Sequence, residues 1–131
     1  MREVVRAWIL KAEHDLRTAE RTFTPEGDCP FDMVCFHAQQ CAEKYLKALL
    51  VFHGLEVPRT HDLTEILPLL SAGVAVKLDV DELAELNPYA VAVRYPGLGP
   101  EPGPEEARRA LEIARRVRAE VRSVLPIDEL T

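Results

Sequence analysis

The stretch CFHAQQCAEKYLKALL, Cys35 to Leu50, constrains this chain more than any other. A helix turns about 100° per residue. On that wheel Val34, Ala38, Cys41, Ala42, Tyr45, Leu49 and Phe52 form a continuous apolar arc, and His37, Gln39, Gln40, Glu43, Lys44 and Lys47 fall on the opposing arc. Phe36 and Leu50 interrupt the polar arc, so it is not a plain solvent face. A helix with so wide an apolar surface belongs in the middle of a bundle. Polar groups there need partners, because burying them unpaired costs free energy. Glu43 and Lys47 have the i,i+4 spacing in the favoured order. Two readings of the polar arc stand. It is a solvated face carrying surface ion pairs, or a subunit interface in which Phe36, Gln40, Glu43, Lys47 and Leu50 meet a second chain.

The neighbouring sequence supplies the rest of a bundle. Val4, Trp8, Ala12, Leu16, Ala19 and Phe23 recur at helical spacing and predict a first long helix over 4–23. TPEGDCP, Thr24 to Pro30, is turn chemistry and ends it. The central helix is expected from Phe31 to His53, with Gly54 as its stop. Asp62 with Glu65, and Asp79 with Glu82, read as capping boxes opening short helices to about Ser71 and Asn87. Pro68 predicts a broken turn in the first of these, and Asn87-Pro88 can restart a helical turn. GLGPEPGP, Gly97 to Pro104, is a loop. A last long helix starts at Pro104 or Glu105, with its stripe at Ala107, Ala110, Leu111, Ala114, Val117, Val121 and Leu125. No strand alternation or repeat stands out. The expected fold is all-α: an up-down bundle of three long and two or three short helices in a single domain, residues 1–131.

Composition narrows the class. Net charge is 16 − 22 = −6, which offers no global attraction to nucleic acid, so no DNA partner is expected. The cysteines Cys29, Cys35 and Cys41 are odd in number and make no C-x-x-C pair, which fits free thiols in a reducing cytoplasm. No apolar run approaches the roughly 20 residues that span a bilayer, and the charged N-terminus does not read as a secretory leader.

Four motifs occur in order: A-x-x-D-L at Ala12 to Leu16, AQQCAEKYLKALL at Ala38 to Leu50, P-x-T-H-D-L at Pro58 to Leu63, and A-x-R-Y-P at Ala92 to Pro96. Together they resemble the HEPN domain (higher eukaryotes and prokaryotes nucleotide-binding) over nearly the whole chain. The resemblance implies a four-helix-bundle-like fold that commonly forms homodimers. It also implies a minimal nucleotidyltransferase as partner, frequently in a toxin–antitoxin-type module, with nucleotide or RNA as the ligand class. Several branches are metal-independent ribonucleases that use an Arg-x(4–6)-His motif, in which Arg holds a phosphate and His transfers a proton. Here Arg6 lies too far before His14, Arg59 lies too close to His61, and no histidine follows Arg94. No catalytic residue is therefore assigned, and the expected role is a dimeric interaction and nucleotide-binding module. A divergent ribonuclease drawing on Arg94, Tyr95, His61 or His37 and a stand-alone nucleotide or small-ligand binder are the alternatives.

The candidate ligand contacts are Arg94, Tyr95, His61, Asp62, Lys44, Gln40 and His37. Arg94 can clamp phosphate bidentately beside Tyr95, or form a salt bridge with Glu43. His61 and Asp62 precede a helix, where backbone N–H groups favour anions, although helix capping explains them equally. His37, Gln40 and Lys44 share one helix face. His37 and Cys41 are two metal ligands, too few for a site, so neither metal nor cofactor is expected. Arg108, Arg115 and Arg122 form a ridge on the last helix, suited to an acidic partner or RNA, or else a solvated face with Glu105–Arg109 and Glu112–Arg116 pairs.

Overall fold

α1 spans Arg2–Thr22 and α2 spans Phe31–Phe52. α3 is Leu63–Ile66, continued by a 3-10 turn at Leu67–Leu70, and α4 is Val80–Ala84, followed by a 3-10 turn at Asn87–Ala90. α5 spans Pro104–Ser123. These come from a computed structural model that describes residues 2–70, 74, 76–91, 96–97, 99–126 and 130. No strand occurs among them.

Side-chain pairs give the helix directions. Asp15 meets His37 and Lys44 while Trp8 meets Lys47, so α1 and α2 are antiparallel. The chain then climbs back along α2 through its short helices: His61 touches Glu43, and Tyr89 lies beside Cys35 near the start of α2. α5 descends again, with Arg122 beside Tyr45. The result is an up-down-up-down bundle whose third rung is broken into short pieces, with α2 in the middle. Pro68 explains one break, because it cannot donate to an α-helical ladder and the chain tightens into a 3-10 turn there.

The ends of α2 are set by local chemistry. Phe23 and Phe31 meet edge to face at 6.3 Å across the Thr24–Pro30 turn. At the other end Leu55 N–H donates to Leu50 O and Gly54 N–H to Val51 O, the paired bonds of a Schellman stop. Gly54 has φ +70°, a conformation that glycine adopts without steric cost. α5 begins with Pro104 in its first turn, and Glu106 reaches back to accept the Gly103 N–H at 2.7 Å.

The core joins all the long helices. α2 contributes Val34, Cys35, Ala38, Cys41, Ala42, Tyr45, Leu46, Leu49 and Leu50, all fully buried. Small residues of α1 and α5, notably Ala12, Ala19, Ala107, Ala110 and Ala114, let those helices approach α2 closely. The α1 stripe differs at its start from the expected one. Val5 and Ile9 enter the core, whereas Val4 is 48% exposed and Trp8 is half-buried. Ile113 joins the α5 stripe at full burial.

The arginines of α5 also find other partners than expected. Arg118 grips Glu13 with two bonds of 2.8 and 2.9 Å, and Arg115 pairs with Glu20, both across to α1. Arg109 pairs with Glu82 and Glu85, and Arg116 with Glu82, across to the α4 region. Helix-to-helix geometry thus supersedes the Glu105–Arg109 and Glu112–Arg116 spacing, and much of the acidic complement to the basic ridge lies in the same chain.

Candidate functional site

Three polar networks surround α2. The deepest runs along one stripe of the helix at i, i+4 and i+8. Gln39 is fully buried, Glu43 is 3% exposed and Lys47 is 6% exposed. Lys47 Nζ donates to Glu43 Oε2 at 2.9 Å, and Gln39 Nε2 donates to Glu43 Oε1 and to the His61 backbone carbonyl, each at 3.1 Å. Gln40 Nε2 donates to Gln39 Oε1 at 2.7 Å. Lys47 also sits over the Trp8 ring, 5.9 Å from its centroid. His61 closes the network: its Nδ1 lies 3.0 Å from both Glu43 oxygens. An ionised carboxylate only accepts, so Nδ1 carries the hydrogen and Nε2 is left for another partner. The His61 side chain is 60% exposed against 5% for Glu43.

The second network bridges α1 and α2. Asp15 takes His37 Nδ1 at 2.8 Å on one oxygen and Lys44 Nζ at 2.6 Å on the other. Burial opposes the Asp15 charge, but these two hydrogen bonds and the attached charges outweigh it and hold its pKa below the usual aspartate value. The third network joins three long helices. Burial again works against ionisation of Glu13, yet hydrogen bonds from Arg118 and Tyr45 hold its carboxyl below the ordinary range. Burial, reinforced by the hydrogen bond to Glu13, drives the Tyr45 hydroxyl pKa up.

Both carboxylates carry a folded-state pKa below the unfolded one. Their contribution to stability is therefore present above the unfolded values, about 3.9 for Asp and 4.3 for Glu, and is lost as pH falls through the folded values. Urea denaturation across pH should show little change in this contribution from pH 7 to about 5 and a steep loss below about 4. Asp15→Asn should flatten that loss; an acid limb identical to that of the parent protein would remove Asp15 from the account.

The candidate contacts separate in space. Gln40 and His61 belong to the Glu43 network, whereas His37 and Lys44 belong to the Asp15 network. Asp62 turns to a structural task. It is the N-cap of α3, accepting from Thr64 N–H at 2.9 Å and from Asn87 Nδ2 at 2.6 Å. Asn87 in turn accepts the Leu63 N–H at 2.9 Å. The first N–H groups of this four-residue helix are thereby used within the chain, which corrects the expectation of an anion site at its N-terminus. The capping box also closes differently: Glu65 accepts from the Thr60 hydroxyl, which itself accepts the Asp62 N–H. Asp79 caps α4 as expected, but Glu82 is taken by the α5 arginines. Arg94 and Tyr95, the remaining candidates, lie outside the described residues.

The interface candidates divide too. Leu50 is fully buried, and Glu43 and Lys47 are nearly so, inside their own chain. They present no surface to a second chain, because α1, the His61 segment and the core already cover that stripe. Phe36 and Gln40 are half-buried, each leaving part of its side chain at the surface. His37 and Cys41 do not converge on a metal geometry: Cys41 is in the core and His37 turns to Asp15. Among the described residues no group of three His, Cys, Asp or Glu is placed to hold a metal. All three thiols are free, and burial pushes Cys35 up to about 12 and Cys41 higher still, so neither is a ready nucleophile.

Asp15, Glu13 and Asn87 were not among the candidates. Asp15 had a signal, the acidic position of A-x-x-D-L; Glu13 and Asn87 had none, since their partners lie 105 and 25 residues away. Among the described residues no helix is long and apolar enough to cross a membrane.

Comparison with known proteins adds an independent line. The model of the HEPN domain matches residues 5–124. The crystal structure of TT1696 from Thermus thermophilus is similar at 32% identity and a TM-score of 0.81, over 92% of this chain and 98% of that one. The structure of ST0689, described as an archaeal HEPN homologue, is similar at 28% identity and a TM-score of 0.66, over 91% and 95% of the two chains. No curated protein sequence matches.

Proposed function

Because this chain belongs to the HEPN domain family, we propose that it acts as an interaction module, pairing with a second copy of itself and with a minimal nucleotidyltransferase in a toxin–antitoxin-type system. A nucleotide at the joint surface is the ligand of this reading. The observation that carries it is the outer face of α2. Half-buried Phe36 stands edge-on to His37 at 5.2 Å, one turn from Met33, which is 38% exposed, and from Gln40. An aromatic and a methionine on the outside of a central helix are what a protein-facing patch requires. The absent Arg-x(4–6)-His motif argues for binding over RNA cleavage.

Light scattering on the purified chain should give a dimer mass that Phe36→Glu reduces toward the monomer. Co-expression with a nucleotidyltransferase encoded beside its gene should yield a complex that the same variant weakens. A monomer that does not bind such a partner would reject the reading.

A further inference from the structure

The charges of α1 between Leu10 and Arg21 divide by partner. Each acidic side chain there is held by a basic one from another helix: Glu13 by Arg118, Asp15 by His37 and Lys44, and Glu20 by Arg115. Each cation of the same stretch, Lys11, Arg17 and Arg21, is exposed and makes no hydrogen bond or ion pair among the described residues. Arg21 sits in the last turn, where the helix dipole favours a positive charge. Lys11 and Arg17 lie mid-helix and gain nothing of that kind. Leu10, His14, Arg17 and Arg21 follow at spacings of four, three and four, so they share one face, with Lys11 one turn before His14. Leu10, in this face, is 54% exposed. Toward α5 the face borders a groove of about 490 Å³ lined by Arg17, Arg115 and Arg118 against Glu13 and Glu20. Both glutamates are taken, and Arg17 is the charge in excess.

We propose that this face of α1 docks an acidic segment of another protein, whose carboxylates meet Lys11, Arg17 and Arg21 and whose apolar side chain covers Leu10. The face runs about 17 Å from Leu10 to Arg21 at 1.5 Å per residue, the length of roughly three helical turns of a partner. Charge complementarity selects the occupant, because the carboxylates nearest these cations are committed within the chain. Screening confines the attraction to about 8 Å at physiological salt. A short acidic segment therefore feels the local cations rather than the net charge of −6. A guanidinium grips a carboxylate through two N–H donors, so Arg17 at the groove sets register while Lys11 and Arg21 add attraction. A nucleic-acid strand is less well matched, because Leu10 within the face offers no ring on which a base stacks. The face shares no residue with the Phe36 patch, so this docking and the pairing proposed above stand or fail separately.

Fluorescence anisotropy of a labelled glutamate-rich peptide bearing two leucines one heptad apart, titrated with the full chain at low and at physiological salt, tests the proposal. Binding at low salt that weakens as salt rises supports it. Arg17→Glu should weaken binding about fivefold or more, the upper worth of one exposed ion pair, and Arg17→Glu with Arg21→Glu should remove it. Leu10→Ser should weaken binding of this peptide but not of one carrying serine in place of both leucines. Arg59→Glu makes the same change of net charge at an exposed arginine outside the face and should bind as the parent does. The proposal is overturned if the peptide does not bind at low salt, if Arg59→Glu weakens binding as much as Arg17→Glu, or if a uridine oligonucleotide of equal charge binds more tightly than the peptide. Salt-sensitive self-association of the chain alone that Arg17→Glu removes would overturn it too, since the occupant would then be a second copy.

Discussion

Glu43→Ala is expected to lower the free energy of unfolding by about 3–5 kcal/mol, the usual cost of stripping one partner from a buried ion pair. Lys47 would be left 6% exposed with an uncompensated ammonium beside the Trp8 ring. Gln39 would lose one of its two acceptors, and the T-H-D-L segment would keep only the Gln39 bond to the His61 carbonyl of its two ties to this stripe of α2. Chemical denaturation gives the number directly. The same stripe refilled with apolar side chains, Glu43→Leu with Lys47→Leu, should recover much of the loss, because a well-packed apolar pair avoids the desolvation that the ion pair bears. A loss under about 1 kcal/mol for Glu43→Ala would mean that Lys47 swings out to water and that the network contributes little.

Leu50→Ala is expected to cost about 2–5 kcal/mol through lost transfer energy and the cavity it leaves. The measurement that matters is where the loss appears. Leu50 is fully buried within one chain, so the unfolding free energy should fall while the oligomeric mass of the folded protein stays the same. Were Leu50 an interface residue, the variant would instead keep a stable fold and change its mass with concentration. Light scattering alongside urea denaturation separates the two outcomes, with Phe36→Glu as the variant expected to show the opposite pattern.

Much of the fold was legible because its signals are local. The 3.6-residue period of α1, α2 and α5 needs no knowledge of the partner helix. Turn residues between Thr24 and Pro30, the glycine after His53 and the proline at the head of α5 act within a few residues of themselves. Asp62 and Asp79 announced caps for the same reason, since an N-cap reaches only two or three residues along the chain. The Val4 and Trp8 assignments missed by a fraction of a turn: Val4–Trp8 and Val5–Ile9 are both apolar at i,i+4, and periodicity alone does not choose between adjacent stripes.

The candidate site was legible as a set of residues but not as an arrangement. That α2 carries partnered polar groups follows from its sequence, and so does the Glu43–Lys47 pair, whose members lie one turn apart. That this pair is buried does not follow, because the cover comes from α1 and from His61, 18 residues onward. The same limit separates Glu82 from its capping role: a carboxylate three residues after an Asp suits a capping box, but two arginines of α5 hold it more strongly.

Helix positions, most helix ends, the family and the need for partners along α2 were all written in the chain itself, because periodicity, capping and motif spacing are properties of neighbouring residues. Packing in three dimensions was needed to settle which side of α2 is sealed and which stays open, that Asp62 serves Asn87 and the α3 cap, and that His61 rather than Asp62 faces outward. Those outcomes depend on which distant segment packs against each face, and burial converts the same carboxylate from a solvated surface charge into a partner-dependent one.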